Sequence, residues 1–399
     1  MSNPQSFPPA LEQGFRSFHA SGPLSLSNPY SRFRLLLLSA MESSCRRCCI
    51  SLLPALETQD QRRDAALLAR VEAQQQAAIS SLITHRAYPF SLLMDHAVLL
   101  ADLAAHFAQA LSPAALRSAI EFVIPEYTDM AYRLANATQL FYNYCVEDQF
   151  QGYTEILPGR PLISCHRHPY DDIRKPQNSN DLFADIPLLI LLAAEEAFSA
   201  ALQQAAQQAN DSLESALYRE LDLICQQHLC HFSSLLSPHT PLETLLLFQY
   251  TERYLYNSFQ EEEENEQLVH IFSHEAEIER SHLQKAIALL DSATGTQLSL
   301  PACPPRLSLH SNKGFIREML LQIGVTAKRE QFVPVGNLPK GADFFRYQKK
   351  MCRNEELLPS HQIISALIRK NGQDYRYEIA PHPVELLRCR HQDMTDIGR

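Results

Sequence analysis

Apolar side chains recur every three or four residues along much of the chain between positions 59 and 291, the spacing that gives an α-helix one buried face. From residue 59 to about 85 the stripe is Leu67, Val71, Ala78 and Leu82, interrupted by Gln75. Further helices fit residues 88–110 and 113–144, and Pro125 is expected to break or kink the second of them, because proline removes a backbone donor and crowds the preceding turn. Residues 151–180 carry four prolines and lose the period, which reads as a long connection.

Four helical segments then follow one another, at residues 181–208, 211–236, from 240 onward, and 266–291. The second opens with Asp211-x-x-Glu214. The third opens with Thr240-Pro-Leu-Glu243, which places threonine at the N-cap, proline in the first turn and glutamate three residues on, a capping box. Short connections between long helices force antiparallel neighbours, so the pattern predicts an up-down four-helix bundle over 181–295.

The flanks read differently. Residues 1–58 are rich in Ser, Pro and Phe and predict a disordered leader, with Met41 a candidate start. Residues 59–150 form an N-terminal helical region. After the proline-rich break at 301–305, residues 306–399 suggest a small α+β unit, with strand-like stretches at 332–335 and 375–379. Only 11 glycines occur and 45% of residues are apolar, so the fold class expected is mainly α with a real globular interior.

Charge sharpens this division. Residues 301–399 hold 16 Lys and Arg against 10 Asp and Glu, a net of +6; the remaining 19 against 35 leave −16 for residues 1–300. A basic C-terminal unit docking on an acidic helical body accounts for the asymmetry, and an anionic partner fits it too. Lys340, Arg346, Lys349, Lys350 and Arg353 surround Phe344, Phe345 and Tyr347, a basic-aromatic cluster, but the acidic chain as a whole argues against nucleic acid. The Glu261–Glu264 run reads as a solvated turn.

The ten cysteines show no regular framework, and a chain of 399 residues does not need disulfide staples, so reduced thiols and a cytoplasmic location are expected. Cys45, Cys48 and Cys49 in SCRRCC lack the second ligand pair that a zinc site needs. The longest apolar run, at 186–194, is too short to span a bilayer, and no signal peptide is recognisable.

Polar residues that interrupt the apolar stripes carry the chemistry. On the last of the four segments the stripe runs through Glu275, Glu279 and His282, while Glu277 and Arg280 fall toward solvent. The third segment sets Glu252 among apolar residues, the first sets Glu195 with Glu196 beside it, and the second aligns Cys225 and His228. Buried carboxylates pair, accept hydrogen bonds or bind metal, since an isolated buried charge is costly.

This order resembles the ferritin-like superfamily of four-helix-bundle di-iron and di-manganese carboxylate proteins, in which two helices give one Glu each and two give Glu-x-x-His. The resemblance covers residues 181–291. It implies metal ligation by Glu195 or Glu196, by Cys225 and His228, by Glu252, and by Glu279 and His282. Cys225 stands where the family has a bridging glutamate, and a thiolate does not bridge hard ions in the same way. The resemblance implies iron or manganese, redox chemistry on dioxygen, peroxide or an organic substrate, and Tyr250, Tyr254 and Tyr256 as redox neighbours. The alternative is a non-enzymatic scaffold whose bundle has lost its metal. The expected partner is then a small-molecule substrate or a protein, a second copy of the chain included.

Two further sets were weighed. His274-Glu275 lacks the second histidine of a zincin. Cys165, His166, His168, Asp171 and Asp172 in the connection could ligate metal or simply form a capped turn.

Overall fold

The structure, a computed structural model, describes residues 28–83, 89–144, 169–176, 181–295, 305–323 and 358–371, with a few single positions between them. It is helical throughout, and no strand occurs among the described residues. The long elements are α1 Pro29–Leu52, α2 Gln59–Ser81, α3 Pro89–Ala110, α4 Ala114–Tyr142, α5 Ile186–Gln208, α6 Ser212–Ser233, α7 Pro241–Glu262, α8 Glu266–Thr294, α9 Lys313–Gln322 and α10 Pro359–Asn371. The strand-like stretches at 332–335 and 375–379 lie outside the described residues, as do Cys165, His166 and His168. No helix among the described residues is long and apolar enough to cross a membrane.

Three expectations need correction. Residues 29–52, placed in a disordered leader, form α1. Asn28 accepts from Tyr30 N at 2.9 Å, Pro29 takes the first turn, and Phe33, Leu35, Leu37, Leu38, Met41 and Cys45 are buried. The near-continuous run at 33–38 blurs the stripe that follows through Met41, Cys45, Cys48 and Leu52, and the Ser- and Pro-rich stretch before them hides the helix. Of the break or kink expected at Pro125, the break does not occur, and α4 continues through it to Tyr142. The acidic turn is not wholly solvated either: Arg34 bonds Glu263 at 2.9 Å and Glu262 at 3.4 Å, and Ser31 donates to Glu263 at 2.7 Å.

The helices divide into two compact units, and neither is contiguous in sequence. The first draws on Met1–Ala87, Ile173–Ala197 and Leu229–His310, the second on Tyr88–Asp172, Phe198–His228 and Ser311–Arg399. The boundaries fall inside α5 and α6. The four consecutive helices expected to form one bundle are therefore shared between units.

In the first unit α1 packs on α2 and α7 on α8, and α1 lies against α7 to join the pairs. α2 starts with a capping box between Thr58 and Gln61, α7 with one between Thr240 and Glu243, and α8 with Asn265 accepting from Gln267 N and Leu268 N. α8 ends on Gly295 at φ 68°, a left-handed cap that glycine adopts without a Cβ penalty.

In the second unit α3 packs on α4, with α10 against α4 and α9 against both. Its buried charges are paired: Arg133 is held by Asp129 at 3.0 Å and also by Glu220, which accepts from Ser360 N at 2.8 Å. A guanidinium and two carboxylates enclosed with these partners act as a structural clamp, because each ionised group has a donor or acceptor in reach.

Candidate metal centre

Each of the four helices of the first unit brings a carboxylate and a second polar side chain three residues apart to one place. The pairs are Glu42 and Cys45 on α1, Glu72 and Gln75 on α2, Gln249 and Glu252 on α7, and Glu279 and His282 on α8. Positions i and i+3 share a helix face, so each helix presents its pair to its neighbours. All eight side chains are buried.

Two overlapping clusters result. Ligand atoms of Cys45, Glu72 and Glu252 lie within 4.8 Å of one another, and so do those of Glu72, Glu279 and His282. Glu72 belongs to both. His282 Nδ1 stands 3.3 Å from Glu72 Oε1 and 3.3 Å from Glu279 Oε1.

Two amides cross-link the clusters. Gln249 Nε2 is 2.8 Å from Cys45 Sγ, 3.0 Å from Glu72 Oε1 and 3.2 Å from Glu252 Oε2. Gln75 Nε2 donates to Glu275 Oε2 and Glu279 Oε1, both at 2.7 Å, and the Tyr256 hydroxyl donates to Glu42 Oε1 at 2.6 Å. These bonds leave a surplus of acceptors. Glu42 Oε2, Glu72 Oε2, Glu252 Oε1 and Glu279 Oε2 have no hydrogen-bond partner, nor does His282 Nε2, and His282 Nδ1 meets Glu72 and Glu279 only at the 3.3 Å of the two ion pairs. Orphaned atoms of this kind are rare in a protein interior, where polar groups are nearly always satisfied.

The charges tell the same story. Burial, and then the carboxylates of Glu72, Glu252 and Glu279, hold Glu42 well above the usual range. Burial and the Glu72 charge push Glu252 up likewise. Glu279 is also raised by burial, although His282 draws it back. Glu72 is the exception: burial opposes its ionisation, but the hydrogen bond and charge of His282 and the bonds from Glu42 and Gln249 carry it below the usual range. Burial works against a charged His282, yet Glu279 and Glu72 outweigh it and raise the imidazole to about 10. One imidazolium thus faces four carboxylates, and most of them must stay protonated to be enclosed together.

Two divalent cations would balance four carboxylates and leave the imidazole neutral. Carboxylate oxygens with one imidazole suit Fe2+ or Mn2+. The donors present therefore fit such ions, and the orphaned atoms are the ones a cation would satisfy.

Of the residues singled out in the sequence, Glu252, Glu279 and His282 lie in this centre. Glu195, on α5, is buried in the same unit but is not among the converging ligand atoms. Glu196 accepts from Ser44 at 2.8 Å and pairs with Arg47 at a partly exposed site. Cys225 and His228 belong to the second unit, where His228 Nε2 meets Glu126 Oε2 at 2.7 Å. Of the three tyrosines, Tyr256 alone bonds a carboxylate of the centre; Tyr250 stacks on Phe183 at 4.5 Å and Tyr254 donates to the Pro305 carbonyl at 2.7 Å. Ser44, Arg47, Cys48 and Ser51 line, with Leu189, Leu192 and Phe248, a groove of about 630 Å3.

Glu42, Glu72 and Gln249 escape sequence reasoning, which sets Cys45 aside with SCRRCC for want of a second ligand pair and reads Gln75 only as an interruption of its stripe. The Gln75 interruption was the signal: Glu72-x-x-Gln75 on α2 repeats the spacing of Glu279-x-x-His282 on α8. Comparison of the chain with protein-family models, with curated proteins and with solved structures gives no match.

Proposed function

We propose that the first unit is a metal-binding domain whose four helices hold two divalent ions, iron or manganese, between Glu42, Glu72, Glu252, Glu279 and His282. The observation that carries this reading is the position of Glu72, which lies in both ligand clusters among carboxylates whose remaining oxygens bond to nothing. A carboxylate has two oxygens and can serve two cations at once. The reading keeps the ferritin-like resemblance but assigns it to α1, α2, α7 and α8, with Gln75 standing where that family has its first histidine.

Iron or manganese held in this way supplies one-electron redox chemistry, and we propose an oxidoreductase acting on dioxygen, peroxide or a small organic substrate. The chain's own contribution is to keep the site dry, to fix the carboxylates, and to place the Tyr256 hydroxyl on Glu42. Gln75 holds Glu279, and Gln249 holds Glu252, in their rotamers. The groove beside α1 is roomy enough for a small molecule.

The test is metal content by plasma mass spectrometry of the full-length protein, beside His282→Ala and Glu72→Gln. About two equivalents in the wild type and loss in both folded variants are expected. Folded wild type that carries no iron or manganese, and takes up neither on reconstitution, overturns the reading. A second reading then stands on the two glutamines: their amides already reach five side chains, as they would in a scaffold whose polar interior holds protons in place of metal.

A further inference from the structure

Cys45 sits at the edge of the centre with no hard-ion role to explain it. It is fully buried on α1, three residues from Glu42, and its sulfur shares one 4.8 Å cluster with Glu72 and Glu252. The Gln249 amide nitrogen touches all three of these ligand atoms. An amide has two hydrogens for three acceptors, so at least one contact goes unserved, and Glu72 Oε2 and Glu252 Oε1 bond to nothing in addition. A cation at the point on which they converge would serve all three.

We propose that the centre is chemically divided. Cys45, Glu72 and Glu252 form a thiolate-bearing position that takes a borderline divalent ion of the Fe2+, Co2+ or Zn2+ class, while Glu72, Glu279 and His282 form an oxygen- and nitrogen-only position beside it. The inference rests on the metal-binding reading above and deepens it. Sulfur discriminates against Mg2+, Ca2+ and Mn2+, which prefer oxygen, whereas the second position accepts manganese and iron alike. On binding, the S–H bond breaks, a sulfur–metal bond forms, and the proton passes to buffer; no electron is transferred. Gln249 gives up its contact with the metal-bound lone pair and keeps one to a carboxylate. Cys49, one turn along α1, lies in neither cluster.

The experiment is an anaerobic titration of Co2+ into full-length protein stripped of metal and kept reduced, followed by absorbance and by equilibrium dialysis. A thiolate bound to Co2+ gives an intense near-ultraviolet charge-transfer band that carboxylate and imidazole ligands do not. The wild type should show that band, Cys49→Ser should keep it, and Cys45→Ser should lose it while still retaining cobalt at the Glu279 and His282 position. If Cys45→Ser does not fold by circular dichroism, Cys45→Ala provides the same readout. Cobalt retained without the band, or a band that survives in the Cys45 variants, overturns the divided centre and leaves the metal-binding reading intact. Folded wild type that retains no cobalt overturns both.

Discussion

At the residue scale, the charge state of the metal-free centre turns on His282 and its carboxylates. The folded imidazole, raised to about 10 from 6.5, keeps a proton that the unfolded one loses. Its contribution to stability is fully present below pH 6.5 and is lost as pH rises toward 10. Glu42, Glu252 and Glu279 act in the same direction, because carboxyls held protonated by the fold are penalised once the unfolded chain can ionise them. Glu72 opposes them: its lowered value adds stability above the carboxylate range, and that addition disappears in acid. The melting temperature of metal-free protein is therefore expected to fall between pH 6.5 and 10, and His282→Gln to flatten the slope; a wild-type profile without slope would contradict this charge assignment. Metal bound as proposed would displace these protons, so calorimetry at neutral pH in two buffers of different ionisation enthalpy should register proton release on binding. Gln75→Ala leaves Glu279 without its amide and should weaken metal binding by roughly 10–100-fold, the usual cost of losing a bond that orients a ligand.

At the scale of the element, what was legible in sequence was each helix taken singly. The Thr240-Pro-Leu-Glu243 signature gives α7 its observed N-terminus, with the Thr240 hydroxyl accepting from Glu243 N at 3.3 Å and Glu243 reaching back to Thr240 N at 2.7 Å. Thr240→Ala should cost about 1 kcal/mol in denaturant unfolding, since the Glu243 N donor loses its acceptor. The stripe through Glu275, Glu279 and His282 on α8 was visible for the same reason: buried polar residues break a regular apolar period. Two things were not visible. α1 begins with a near-continuous buried run over residues 33–38, and where its buried positions then keep the helical period, at 41, 42, 45, 48, 49 and 52, they are filled by glutamate and cysteine as well as by Met41 and Leu52, so no apolar stripe stands out. The pairing of α7 and α8 with α1 and α2 is decided by contacts between distant segments, and proximity in sequence pointed instead to α5 and α6. Arg34 shows how firmly the true pairing is held: its guanidinium and Glu263 are both enclosed, and Arg34→Ala should cost up to about 3–5 kcal/mol by removing the counter-charge of that carboxylate, which keeps only the Ser31 hydroxyl and backbone donors.

Over the whole molecule, each compact unit is assembled from three stretches of chain, and α5 and α6 pass from one to the other. The bonds that close the centre join residues 177 to 214 positions apart, from Gln249 with Glu72 to Tyr256 with Glu42. That separation has a consequence for how the protein is made. A ribosome adding about 5–20 residues per second needs on the order of 10–40 s to travel that far, so α1 and α2 leave the exit tunnel well before α7 and α8 exist. Through that interval Glu42, Cys45 and Glu72 lack their partners Gln249 and Tyr256, and the faces that α1 and α2 turn toward α7 and α8 have nothing to cover them. Any loading with metal would therefore follow synthesis of α8, which ends at Thr294 of 399 residues, and a nascent chain halted before α7 would be a client for chaperones with an open thiol.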